Sequence, residues 1–265
     1  MTDTAELLCE TDAAGIARIT LNRPQARNAL TFGMYQGLID HCAAIEADPA
    51  IKVLVIAGAG PKAFAAGTDI AQFRSFSTAE DAIGYERFMD RVLGGLERLR
   101  VPTIAAIAGA CTGGGAAIAA ACDLRVATQD AKLGFPIART LGNCLSLGNL
   151  KRLSDLIGPA RVKDMIFTAR LFEAQEALGV GLVGEVVADA EALSTRATEL
   201  ATLLAGHAPL TLWATKEGLR RLAAEDEPEG ERPGDDLIRL CYTSTDFREG
   251  MEAFLGKRPP NWTGR

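Results

Sequence analysis

A chain of 265 residues is long for one compact domain and short for two, and with 48% hydrophobic and 23% charged residues it can bury a large core. Its net charge of −6 and pI near 5.1, with no basic tract, exclude nucleic acid as an expected partner, so an anionic ligand must be held by local features. The longest apolar stretch, VPTIAAIAGACTGGGAAIAAAC, is broken by four glycines, and MTDTAELLCETDAAG has no basic segment before an apolar one; no membrane association and a cytoplasmic location are expected.

The chain divides readily into elements. GIARITLN (15–22) alternates and is β-branched, which predicts a strand ended by Pro24. Thr31 is placed to N-cap a helix whose apolar face is Met34, Leu38, Cys42 and Ile45, closing at Asp48 and Pro49. KVLVIAG (52–58) reads as a buried strand, 79–99 as a helix and PTIAAIAG (102–109) as another buried strand. A helix from Gly113 to about Ala121 follows, then a strand at DLRVAT (123–128). Segments near 145–157, 159–168 and 173–179 read as helices, and LVGEVV (182–187) as a last strand. Strands alternating with helices predict an α/β protein with a parallel core and crossovers. From about residue 189 the pattern is helical only, one helix starting at Pro209, with an acidic break EDEPEGERPGDD (225–236) before two more. The expected division is a core over 1–200 and a helical region over 201–265, with strand–strand–helix units recurring loosely along the core.

Candidate chemistry concentrates in GACTGGGAAIAAACD (109–123). A glycine-rich turn from strand to helix presents bare backbone N–H groups to negative charge. Neither GxxxxGK[ST] nor GxGxxG is satisfied, which disfavours an unrelated nucleotide-binding module. The six cysteines (9, 42, 111, 122, 144, 241) contain no CxxC pair and only His41 and His207 accompany them, so reduced thiols and no metal are expected.

Four stretches in order, LNRPQARNAL (21–30), KAFAAGTDI (62–70), IAGACTGGGAAIAAACDLRVAT (107–128) and REGMEAFLGKRPPNW (248–262), resemble the crotonase (enoyl-CoA hydratase/isomerase) superfamily over nearly the whole chain. The resemblance implies a crotonase-like α/β spiral of ββα units with a C-terminal helical region used for trimerisation. It also implies a homotrimer or dimer of trimers, and an acyl-CoA thioester substrate with no cofactor beyond the coenzyme A of that substrate. It places the two backbone N–H donors of an oxyanion hole on Thr68 and Gly114, with glycine at 114 because a side chain would crowd the thioester. Gln25, Arg27, Ala66 and Ile70 then match positions along the adenine and pantetheine path, while Asp69, and likewise Asp123, caps a turn. Phe254 and Lys257 match a C-terminal pair that reaches the CoA moiety, often from a neighbouring subunit.

One departure bears on the chemistry. Where hydratases of this family carry two glutamates, Ala117 and Ile137 stand here, and no acid lies anywhere from 131 to 154. Adding water to a double bond requires one group to deprotonate water and another to protonate carbon, so plain hydratase activity is not expected. Candidate substitutes are Arg139, Asn143 and Cys144 on the loop facing the acyl group, Arg139 as a partner for an acyl-tail carboxylate, and Tyr85, Glu86 and Asp90 on the 79–99 helix. The reading is an acyl-CoA lyase, isomerase or hydrolase working through an enolate; the alternative is a non-catalytic acyl-CoA-binding or assembly protein of the same fold.

Overall fold

The computed structural model describes residues 5–224 and 234–265, so the break at 225–236 lies outside the described residues except for Gly234–Asp236. The strands are β1 Leu7–Thr11, β2 Ile16–Leu21, β3 Val53–Gly58, β4 Ala63–Ala65, β5 Thr103–Ile107, β6 Ala110–Thr112, β7 Leu124–Thr128, β8 Lys132–Gly134, β9 Phe172–Glu173 and β10 Glu185–Val187. The helices are α1 Phe32–Ala47, α2 Ala79–Arg98, α3 Gly114–Ala121, α4 Ile137–Thr140, α5 Leu147–Ile157, α6 Pro159–Phe167 and α7 Ala174–Gly179, then α8 Ala190–Ala205, α9 Pro209–Ala224, α10 Asp235–Tyr242 and α11 Thr245–Leu255. The predicted strand at 182–187 shortens to β10, because Gly184 and the residues before it hydrogen-bond back to Arg125 and Ala177 and make a turn.

Two sheets organise the molecule. The larger has the order β1-β2-β3-β5-β7-β10 and is parallel from β2 onward; the smaller has the order β4-β6-β8-β9 and is parallel through β8. Each central strand of the first sheet passes within a few residues into a strand of the second, β3 into β4, β5 into β6 and β7 into β8, and a helix follows. This is the ββα unit that the sequence repeats only loosely.

Alternation along the strands separates two cores. Ala17, Ile19, Leu21, Leu54, Ile56, Ala105 and Ile107 face the side covered by α1, α2 and α3, whereas Ile16, Val53, Val55, Ile104, Ala106 and Val126 face Leu193, Ala197, Leu200 and Ala201 of α8. Helix α9 is tied to the first core by Lys216, whose Nζ donates to Asp123 Oδ2 at 2.8 Å and to the carbonyls of Leu96 and Val101 at 3.2 Å. The same Asp123 oxygen accepts from the Thr103 N–H and hydroxyl, at 2.7 and 2.8 Å, so Asp123 joins β5, β7 and α9.

The segment 21–30 forms the frame on which the site is mounted. Asn28 is 1% exposed and sits in the left-handed region at φ +55°. Its amide donates to the carbonyls of Ala59 and Ala63, at 3.1 and 2.7 Å, and its Oδ1 accepts from the Arg23 N–H at 3.0 Å. Asn28→Ala leaves these buried groups without partners and retains an unfavourable φ, so a loss of about 2 kcal/mol or more is expected, read as a lowered urea midpoint at unchanged slope.

Candidate active site

Two loops meet because their strands are in register. Ala65 of β4 pairs with Cys111 of β6, and three residues beyond each lie Thr68 and Gly114. The glycines before them, Gly67 at φ +102° and Gly113 at φ +53°, turn the backbone sharply, and the loops approach so closely that a Cβ on Gly113 would lie 3.5 Å from the Gly67 Cα. The register of β4 against β6 shifts between Ala63 and Ala65, a bulge that sets this alignment.

Neither N–H donates to a partner among the described residues. Gly114 is the first residue of α3, so its N–H has no intrahelical partner and lies at the positive end of the helix. Thr68 bridges to Leu30 in parallel fashion, with the Leu30 N–H donating to the Gly67 carbonyl and the Asp69 N–H to the Leu30 carbonyl, at 2.8 Å each. That pattern turns the N–H of Thr68 itself away from Leu30. The Ala66 N–H donates to the Arg27 carbonyl at 3.0 Å, fixing the other side of the loop.

A chain of hydroxyls backs this pair. Tyr35 Oη lies 2.7 Å from Thr68 Oγ1, which lies 2.9 Å from Tyr85 Oη. Burial raises both phenol pKa values, that of Tyr35 strongly, so both stay neutral at physiological pH. The structure adds a second reason for glycine at 114. A Cβ there would overlap the Tyr35 hydroxyl and approach Thr68 Oγ1 to 3.1 Å, so the protein's own tyrosine already fills the space a side chain would need.

The two loops open on a cavity of about 190 Å³ lined by Thr68, Phe73, Tyr85, Glu86, Gly114 and Ala117 among others. An aromatic cluster forms one wall: Phe73 meets Tyr85 edge-on with centroids 5.0 Å apart, and Phe32 packs on Tyr85 at 5.8 Å. Among the described residues, Glu86 is the only carboxylate lining this cavity. Its pKa is raised above the usual carboxylate range, first by burial and then by Asp90, with a backbone contribution from Ser146 acting in the opposite direction. Asp90 itself accepts a 2.9 Å hydrogen bond from Ser146 Oγ beside the start of α5.

Of the sequence-derived site residues, Ala66, Thr68, Ile70, Gly114 and Ile137 line the cavity, together with Ala117. Gln25, Arg27, Asp69, Arg139, Phe254 and Lys257 do not. Asp69 caps the short 3₁₀ turn Ile70–Ser75 by accepting from the Ala71 N–H and pairs with Arg23 at 3.0 Å, and the two together lower its pKa. Asn143 faces the cavity as expected, but Arg139 and Cys144 are exposed: the short helix α4 turns Ile137 inward and leaves Arg139 to solvent. Phe254 is 84% exposed near the end of α11, and Lys257 follows that helix at φ +49°. Sequence reasoning missed Tyr35 and Asn28. Tyr35 falls on the apolar face that the period marks out for α1, but its hydroxyl partner is 33 residues away.

Comparison with known proteins agrees with this architecture. The family model described as Enoyl-CoA hydratase/isomerase matches residues 11–265. The chain is 35% identical over 252 residues to the Short-chain-enoyl-CoA hydratase of Clostridium acetobutylicum, covering 92% of each chain. It is 34% identical to the Crotonyl-CoA hydratase of Syntrophomonas wolfei, over 94% of this chain and 95% of that one. A crystal structure of an enoyl-CoA hydratase/carnithine racemase from Magnetospirillum magneticum superposes with a TM-score of 0.91 at 33% identity, over 99% of this chain and 97% of that chain. With its ββα spiral and paired glycine loops, the chain belongs to the enoyl-CoA hydratase/isomerase family, the crotonase superfamily.

Proposed function

We propose that this protein is an enzyme acting on an acyl-CoA thioester, whose carbonyl oxygen is held between the N–H groups of Thr68 and Gly114 while an enolate forms. The observation that carries the reading is the side-by-side placement of these two residues, three positions beyond the paired Ala65 and Cys111, at the wall of a largely apolar cavity. Two N–H groups aimed at one point stabilise an oxygen that gains charge in the transition state, and each such donor contributes about 3–4 kcal/mol. The relatives named as hydratases support a CoA thioester as the substrate.

Calorimetric titration with CoA and acetyl-CoA, with and without EDTA, tests this. Saturable binding unchanged by the chelator is expected; binding that requires a metal, or no binding at millimolar ligand, would overturn it. A binder without chemistry would saturate with a panel of acyl-CoAs yet release no product, and the carboxylate inside the cavity favours the enzyme.

The C-terminal helices expose Leu219, Leu222, Ile238, Tyr242, Met251, Phe254 and Leu255. Apolar surface of this extent on successive helices is suited to contacts between subunits, and the reading includes assembly as a trimer or a dimer of trimers. Light scattering at micromolar concentration should return three or six times the chain mass of 28.0 kDa; a stable monomer would reject it.

A further inference from the structure

Among the described residues, the cavity lining holds one ionisable carboxyl for proton chemistry. The cavity surface around Thr68 and Gly114 includes Ala117 from α3 and Ile137 from α4, neither of which can carry a proton. Glu86 of α2 lines the same cavity, one residue after the Tyr85 whose hydroxyl ends the Tyr35–Thr68–Tyr85 chain. Glu86 interacts with Tyr85 and Asp90 from its own helix, with Tyr35 from α1 and with the backbone of Ser146, while Asn143 and Asn149 line the same cavity. Asp90 is the charged group acting on it.

We propose that Glu86 is the catalytic acid–base group, exchanging a proton with the α-carbon of the bound acyl chain; this rests on the acyl-CoA reading above. The Glu86 carboxylate takes the α-proton, the C–H electron pair becomes the C=C bond of the enolate, and the carbonyl π pair moves to the oxygen held by the Thr68 and Gly114 N–H groups. Returning the proton from Glu86 to carbon reverses these shifts, with no net oxidation and no co-reactant. Burial and Asp90 bring the pKa of Glu86 nearer to neutrality than that of a solvated carboxylate, which suits a group that must both accept and donate a proton. The neutral phenols of Tyr35 and Tyr85 hold Thr68 in place without competing for that proton.

The probe is butanoyl-CoA in deuterium oxide, with deuterium uptake at the α-carbon followed by mass spectrometry. Wild-type protein should catalyse uptake, and Glu86→Gln should reduce it by about 10²-fold or more, with affinity for butanoyl-CoA changed less than about threefold. Glu86→Asp should recover part of the rate. The wild-type rate should rise with pH through a midpoint above the usual carboxylate range, and Glu86→Gln should lose that dependence. Binding of butanoyl-CoA with uptake equal in wild type and Glu86→Gln, or with no uptake in wild type, would overturn the role of Glu86 and leave the binding reading intact. Failure of wild type to bind butanoyl-CoA would overturn both.

Discussion

Gly114→Ala should weaken binding of the enolate of acetoacetyl-CoA by about 10²-fold or more, while butanoyl-CoA affinity changes far less. The reason lies behind the site. The added methyl group would overlap the hydroxyl of Tyr35, which is fully buried and hydrogen-bonded to Thr68, so the ring has no room to withdraw. The first turn of α3 must therefore move, carrying the Gly114 N–H out of line with that of Thr68. Removing the obstructing oxygen isolates the cause: Tyr35→Phe combined with Gly114→Ala should restore enolate affinity to within about tenfold of wild type. The contacts that remain, with Thr68 Oγ1 at 3.1 Å and with the ring carbon at 3.3 Å, are close but can be relieved by a few tenths of an ångström. Tyr35→Phe alone should lose only about 1 kcal/mol of stability, one hydrogen bond among buried groups. Unchanged enolate affinity in Gly114→Ala would refute the placement of the donor at 114. A double variant as defective as the single one would refute Tyr35 as the obstacle.

Hydration of crotonyl-CoA by the wild-type protein should be slow, at least about 10²-fold below the roughly 10 s⁻¹ common among enzymes. Water addition moves one proton off the attacking water and delivers another to the α-carbon. Among the described residues Glu86 is the lone carboxylate on the cavity wall, and Ala117 and Ile137 line it with hydrocarbon. What remains is polarisation of the carbonyl by the two N–H groups, together with a single proton carrier. Loss of the enoyl absorbance, followed with purified protein, gives the rate directly. Ala117→Glu with Ile137→Glu places carboxyl groups on two further walls of the same cavity and should raise hydration by about tenfold or more. A wild-type rate of roughly 10 s⁻¹ would show that the apolar positions do not limit the reaction.

The sequence made the long elements and the glycine turns legible for different reasons. Helix α1 was recoverable because a capping threonine and an apolar period act within a few residues, and Thr31 indeed accepts from the Met34 N–H. The buried strands β3 and β5 were recoverable as short apolar runs. The three-residue strands β4, β6 and β8 were not, because so short a segment has no period to detect and is defined by its partners. The same distinction applies to the site. Thr68 and Gly114 are marked by the short motifs that carry the family resemblance, whereas the Tyr35 hydroxyl, the place of Glu86 on the cavity lining and the exposure of Arg139 depend on how separate helices pack.

The bulge between Ala63 and Ala65 makes the site sensitive to chain length as well as to residue type. Thr68 and Gly114 are each counted out three residues from one ladder pair, and one residue of strand spans about 3.3 Å, more than the tolerance of a hydrogen bond. Deleting or inserting a single residue between 63 and 68 would slide one donor past the other even if every neighbouring side chain were kept. The exposed segment 77–80, beyond the 3₁₀ turn, has no such partner to count against. Changes of length should therefore be tolerated on one side of Asp69 only, and a deletion series walking from 62 to 80 would mark that boundary as an abrupt recovery of ligand binding.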